Sequence, residues 1–242
     1  MRAITRLSLV VLLLVGGTSV TEAQRPRGPL FPTRFTIGGD LLVAQPKGEF
    51  GSNVNVGGGG NIVFMYKLDQ AGVFSLRADL GGMEYGSERK RVPFTPYTGR
   101  VLLDVTTTND VYWGAIGPQM QLLTKGPVRP YANAAVGFQG FVTRSALSGS
   151  DQSWDYASST NSQDVTLAYM VGGGLYIPLG KKSTSALLNI GARYHFGGNA
   201  TYLREGDITD NANGTITLNP RTSKTDVILW QLGVSVPIPT HR

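Results

Sequence analysis

Two side chains in this sequence could titrate near neutral pH, His195 and His241, and they stand far apart with no cysteine anywhere in the chain. Two distant histidines give no metal constellation, and the lack of thiols removes thiolate chemistry along with any disulfide framework. No nucleophile with a paired base is legible beside either histidine. The run EGDITDNANGTI at 205–216 is rich in oxygen ligands, with Asp207, Asp210 and Asn213 as candidates for calcium. A twelve-residue calcium loop started at Asp207 would need an acid at its last position, where Leu218 stands. Asn213-Gly214 reads instead as a tight hairpin tip. The glycine runs at 57–60 and 172–174 are not followed by Gly-Lys-Ser/Thr and open no helix, so they are not phosphate loops. No catalytic residue, metal or cofactor is therefore expected.

The remaining chemistry lies in the charges. The net charge is +6 and the isoelectric point about 9.6, yet the basic residues are scattered singly apart from Glu88-Arg89-Lys90-Arg91. A nucleic-acid footprint would gather them on one face among stacking aromatics, so no nucleic-acid partner is expected. Asp40, Arg77, Asp79, Arg193 and His195 are different in kind, because each interrupts an otherwise apolar, alternating run. Where they point depends on the elements that carry them.

The first residues place Arg2 and Arg6 before an apolar run, Leu7 to Val15, and then small residues up to Ala23. That order is a secretory signal, expected to span 1–23. Residues 24–33, with Pro26, Pro29 and Pro32, suit a periplasmic lead-in, since proline bars a helix or a central strand there. A barrel domain is expected over 34–242. It contains no apolar run of 18 residues, so any membrane crossing is made by strands.

Period-two alternation supplies those strands, because successive side chains in a strand point to opposite faces. At 35–43, Phe35, Ile37, Leu41 and Val43 share a face opposite Asp40. Similar runs cover 53–66, 74–82, 131–142, 165–177, 188–196 and 228–238. The fourth strand is expected at 111–123, with 100–110 extending above the membrane. Short turns at 67–72, 124–129 and 180–185 alternate with long polar connections at 87–99, 143–164 and 204–225, and a shorter one at 45–52. Short turns on one side and long loops on the other are the layout of a membrane barrel. The fold class predicted is all-β, an eight-stranded antiparallel up-and-down transmembrane β-barrel. A soluble ligand-binding barrel would turn its apolar face inward and have little reason for this asymmetry.

The segments GPVRPYANAAVGF (126–138), LAYMVGGGLYIPL (167–179) and LLNIGARYHFGG (187–198) resemble the strand patterns of OmpA-like outer-membrane β-barrel proteins. The resemblance implies export to the outer membrane, insertion by the barrel assembly machinery, and contact with outer-membrane lipid and lipopolysaccharide by a monomer. The chain departs from the pattern at its end, VSVPIPTHR, where an aromatic residue is usual. His195 in ARYHFGGNA is similar to the His-x-Ser-Asn strand of outer-membrane lipid A deacylases, but Gly197 occupies the serine position and the attacking hydroxyl is missing.

An eight-stranded barrel has an interior just wide enough for side chains to fill it. Asp40, Arg77, Asp79, Arg193 and His195 are therefore expected to form a structural charge network across the lumen. The function expected is structural or surface-interacting. The alternatives are a narrow channel for ions or small hydrophobic solutes, as in OmpW-like barrels, and a lipid A-modifying enzyme.

Overall fold

The computed structural model describes residues 33–93, 102–149, 155–181, 184–211, 213 and 215–239. The expected export signal, all but the last residue of the lead-in, and His241 lie outside them. The strands, in chain order, are β1 (Phe35–Pro46), β2 (Gly57–Lys67), β3 (Phe74–Pro93), β4 (Leu102–Gln121), β5 (Arg129–Gly149), β6 (Asp155–Pro178), β7 (Leu187–Gly197), β8 (Asn199–Tyr202), β9 (Ile208–Asp210), β10 (Ile216–Leu218), β11 (Arg221–Lys224) and β12 (Val227–Ile238). One short helix, α1 (Gly48–Asn53), lies between β1 and β2.

Eight of these strands close into a barrel in the order β1-β12-β7-β6-β5-β4-β3-β2, each antiparallel to its neighbours. Closure pairs every strand on both sides, the condition for a sheet to sit in hydrocarbon without a bare hydrogen-bonding edge. The chain runs up and down around the barrel, interrupted once, where β8 to β11 form two small hairpins between β7 and β12.

Alternation decides which face is wet. On β1, Leu41 and Val43 are about half exposed while Asp40, Leu42 and Ala44 are buried inside. The same division recurs in Ile62 and Phe64 against Val63, in Leu76 and Leu80 against Arg77 and Asp79, and in Ile190 and Phe196 against Arg193 and His195. Large apolar side chains thus cover the outside, while the inside holds polar and charged side chains together with apolar ones, unlike a soluble barrel, whose outside is polar. The architecture is a transmembrane one, matching the sequence expectation of an eight-stranded antiparallel barrel. The turns joining strands at one end are tight. Asp69 accepts the amide N–H groups of Val73 (3.1 Å) and Phe74 (2.7 Å), which holds its carboxyl below the usual carboxylate range. Gly126 adopts φ 105°, a conformation that side chains with a Cβ rarely take.

Several boundaries differ from the sequence expectations. The connections expected at 87–99 and 143–164 are largely strand: β3 continues to Pro93, β5 to Gly149, and β6 begins at Asp155. β4 is one strand of 20 residues that takes in most of the expected extension and ends at Gln121. β3 to β6 are 20 to 24 residues long, whereas β1, β2, β7 and β12 are 11 or 12. The outward apolar belt stops near Leu80, Tyr112, Phe138 and Val165, so residues 85–93, 102–110, 142–149 and 155–164 stand clear of it. At ~3.3 Å per residue such segments reach roughly 30 Å along the strand. The strand expected at 53–66 starts only at Gly57, because the preceding residues fold into α1 and its exit.

A β-bulge between Glu84 and Gly86 marks the rim where β3 leaves the belt. Bulges bend a strand and re-aim a side chain. Here Tyr85 is buried, and its hydroxyl donates to the Leu203 carbonyl at 2.8 Å, tying the rim to the β8–β9 connection.

The projecting ribbon has its own ion cluster. Asp104 on β4 is buried between Arg89 and Arg91 of β3 and paired with both. Hydrogen bonds from Arg91 and then Arg89 hold its carboxyl down at about 2. A depressed carboxylate contributes stability above its unfolded pKa, near 3.9, and loses it as pH falls through the folded value. Amide protection factors, exchange rates corrected for the intrinsic pH dependence, in 87–91 and 104–108 are therefore expected to be unchanged from pH 7 to 5 and to fall between about pH 4 and 2. Asp104→Asn should show the lowered protection already at pH 7. Protection independent of pH in the parent chain would contradict this.

Candidate functional site: the filled lumen

The lumen is built in layers. Nearest the tight turns, Tyr131 and Tyr176 stack with ring centroids 4.5 Å apart, and the Tyr176 hydroxyl points at Met65 Sδ, 3.6 Å away. All three are buried, with Val63 beside them.

Above this floor lie the charges. Arg77 on β3 donates from Nε and Nη2 to Asp79 Oδ1, at 2.9 and 2.8 Å, and from Nη1 to Gln119 Oε1 at 3.0 Å. The two residues are neighbours on one face because they are two apart on a strand. Arg193 reaches the same carboxylate from β7, with Nη1 at 2.7 Å from Asp79 Oδ2. That contact is an ion pair by distance, but no guanidinium nitrogen of Arg193 has hydrogen-bond geometry to a partner. Asn61 adds a donor to Asp79 Oδ1 at 3.1 Å. Asp79 is thus the shared anion of two buried cations.

Asp40 is held differently from the expectation of an anion facing a cation. Its Oδ1 accepts from Asn189 Nδ2 at 2.7 Å, and Asn189 Oδ1 in turn accepts from the Tyr131 hydroxyl at 2.8 Å. Its Oδ2 has no hydrogen-bond partner. Asp40 therefore joins the layer through an amide and a phenol. By formal charge the layer holds two acids, Asp40 and Asp79, and two bases, Arg77 and Arg193.

His195 lies one step higher and is fully buried. Its Nδ1 is 3.3 Å from Gln139 Nε2, its ring meets Trp113 edge-on at 5.5 Å, and Nε2 is unpartnered. Gln139 Oε1 accepts from Thr225 at 3.4 Å. The imidazole faces inward, away from the acyl chains a lipid A-modifying enzyme would act on. Gly197 and Gly198 follow it with no hydroxyl of their own. A Cβ on Gly81 would fall on the Trp113 ring, so glycine is required for that ring to lie across the lumen.

The upper layer is a set of residues that the sequence reading did not single out. Phe50 of α1 is buried among Tyr85, Phe141 and Tyr202, with centroid distances of 5.6, 5.7 and 5.0 Å and rings near perpendicular. Edge-to-face aromatic contacts add to the burial itself. Asn53 donates to the Tyr202 hydroxyl at 3.0 Å, and Glu49 accepts the Lys224 amide at 3.2 Å, so α1 is pinned to the β8–β11 hairpin. The signal available was Phe50 itself, a lone large apolar residue in the polar stretch KGEFGSN.

Asp207 and Asp210 do not converge. Asp207 is capped by Arg204 through Nε at 3.3 Å and the backbone amide at 3.1 Å, while Asp210 lies in β9 opposite Ile216. Asn211 and Thr215 face each other at the end of the β9–β10 pair, the Asn211 amide donating to the Thr215 carbonyl at 2.8 Å. Among the described residues no group of three or more His, Cys, Asp or Glu is placed to hold a metal.

Fold and lumen together define an eight-stranded transmembrane β-barrel whose packed interior sets a charged layer between two aromatic ones. No protein-family model matches the chain, and no curated protein matches it. Solved structures do. Neisserial surface protein A is 14% identical, with 84% of this chain and 97% of that one covered and a TM-score of 0.43. A major outer membrane protein from Thermus thermophilus is 12% identical, over 84% and 98%, with a TM-score of 0.44. Ail, the attachment invasion locus protein of Yersinia pestis, was solved with the heparin analogue sucrose octasulfate and is 14% identical, over 84% and 95%, with a TM-score of 0.38. At this distance the likeness concerns barrel shape alone.

Proposed function

We propose that this protein is an integral outer-membrane barrel that works at the cell surface, without catalysis and without conducting solutes, by presenting a rigid sheet beyond the membrane. The observation that carries the reading is the projection of β3 to β6 past the apolar belt. A barrel serving only to fill the membrane needs strands of about 9–11 residues. These four are twice that.

The projection also has an open side. β7 pairs with β6 only from Ala168 onward, and residues 157–163 make no ladder on that side among the described residues. The stretch is largely exposed, rich in serine and threonine, and carries no charged residue. An edge of this kind offers a row of backbone donors and acceptors for an extended segment to pair with. The opposite edge, on β3, is covered: Ser87 N donates to Glu205 at 2.8 Å and Gly206 N to Glu88 at 3.3 Å.

The channel alternative needs a continuous wet path. The stacked Tyr131–Tyr176 floor below the charged layer and the Phe50 cluster above it support a lumen without such a path. In a planar bilayer the purified chain is therefore expected to give no resolved single-channel steps. Stepwise conductance abolished by bulky substitutions along the lumen would overturn the proposal in favour of a narrow channel.

A further inference from the structure

The two ends of the barrel differ in charge. At the tight-turn end, Arg34, Lys67, Lys125, Arg129 and Lys181 face a single described acid, Asp69, whereas acids outnumber bases among the described residues of the projecting end. The basic turns are also greasy. Leu122, Leu123, Val128 and Leu179 lie in or beside them, 42% to 60% exposed, and continue the apolar belt without a break. Turns meant for water would not carry such residues. Basic and apolar side chains interleaved at the belt's edge suit the layer where acyl chains meet headgroups.

Within this rim the turn before β5 and the turn after β6 face each other across an open cleft of about 510 Å³. Gly126, Pro127 and Arg129 line one side, and Pro178, Leu179, Gly180 and Lys181 the other. Arg129 Nε rests on the Gly126 carbonyl at 3.4 Å, which holds the guanidinium at the mouth. A guanidinium and an ammonium flanking an apolar floor match a phosphate ester with an acyl chain attached.

We propose that this cleft binds the phosphate of an anionic phospholipid in the leaflet on the turn side, with Arg129 and Lys181 pairing with the headgroup and Leu179 contacting its acyl chain. The assignment rests on the membrane-barrel reading. It fixes the barrel's depth from below while the projecting sheet stays clear above.

The test uses the full chain folded in maltoside micelles, with the amide resonances of Gly126, Val128, Arg129, Leu179, Gly180 and Lys181 followed by NMR. Dihexanoyl phosphatidylglycerol is expected to shift them saturably, at roughly tenfold lower concentration than dihexanoyl phosphatidylcholine. Arg129→Gln with Lys181→Gln should weaken phosphatidylglycerol roughly 25-fold, about fivefold per removed charge. Equal response to the two lipids, or an unchanged double variant, would overturn the proposal. Inorganic phosphate or polyglutamate binding as tightly as phosphatidylglycerol would reassign the cleft to a free anion or an acidic polymer. The barrel reading is checked separately: a chain that forms no heat-modifiable species in phosphatidylcholine vesicles fails that reading whatever the lipid preference.

Discussion

Replacing Asp79 with alanine is expected to lower resistance to denaturant by about 3 to 5 kcal/mol, the most damaging single change in the lumen. The reason is arithmetic in charge. Asp79 is the common partner of Arg77 and Arg193, so its removal leaves two guanidinium groups buried in a layer where only Asp40 remains as an anion. Arg193→Ala should cost less, because Asp79 keeps its bidentate contact with Arg77 and the bond from Asn61. The two changes together should be less damaging than their sum, since each removes one side of the same ion pair. Urea titration of the four chains in vesicles supplies the cycle. Strict additivity, or an Asp79→Ala chain as stable as the parent, would show that the layer is not a coupled network.

Ile190→Arg is expected to cost about 2 to 4 kcal/mol, as a charge placed near the middle of the lipid-facing belt does. Ile190 is 44% exposed on β7, with Leu175 and Leu232 beside it across the sheet. Gln163→Arg is the matched control. It lies on β6 above the belt and should change stability by less than about 0.5 kcal/mol, as exposed surface substitutions usually do. Measured in the same vesicles, the pair locates the upper edge of the hydrocarbon. A costly Gln163→Arg together with a neutral Ile190→Arg would exchange membrane and solvent in this account.

What could be read from the sequence follows from where lipid enforces a rule. Within the belt, Phe35 to Val43 and Val165 to Ile177 must alternate, because a polar residue facing acyl chains has no partner, and the inside and outside faces were legible there. Above the belt the constraint lapses. Thr106-Thr107-Thr108 and Ser158-Ser159-Thr160 are polar on both faces, so period-two hydrophobicity vanishes although the residues still pair in β4 and β6. The β-propensity of the threonine run was the surviving cue. The charge set Asp40, Arg77, Asp79, Arg193 and His195 was legible as inward-facing for the same reason the belt was. The partner of Asp40 was not, because choosing Asn189 over a cation depends on barrel register, which no local pattern carries. The Phe50 plug was hidden for a related reason. A short loop helix has too few positions to show a period, and its aromatic neighbours come from β3, β5 and β8.

The measurement that bears most directly on the whole account is the location and gel behaviour of the chain in the cell that makes it. A closed ladder in which every strand is paired resists detergent until heated. The chain should sediment with outer membranes and migrate differently on a gel before and after boiling. Recovery from the soluble periplasm as a single species, unchanged by boiling, would contradict the account at its root.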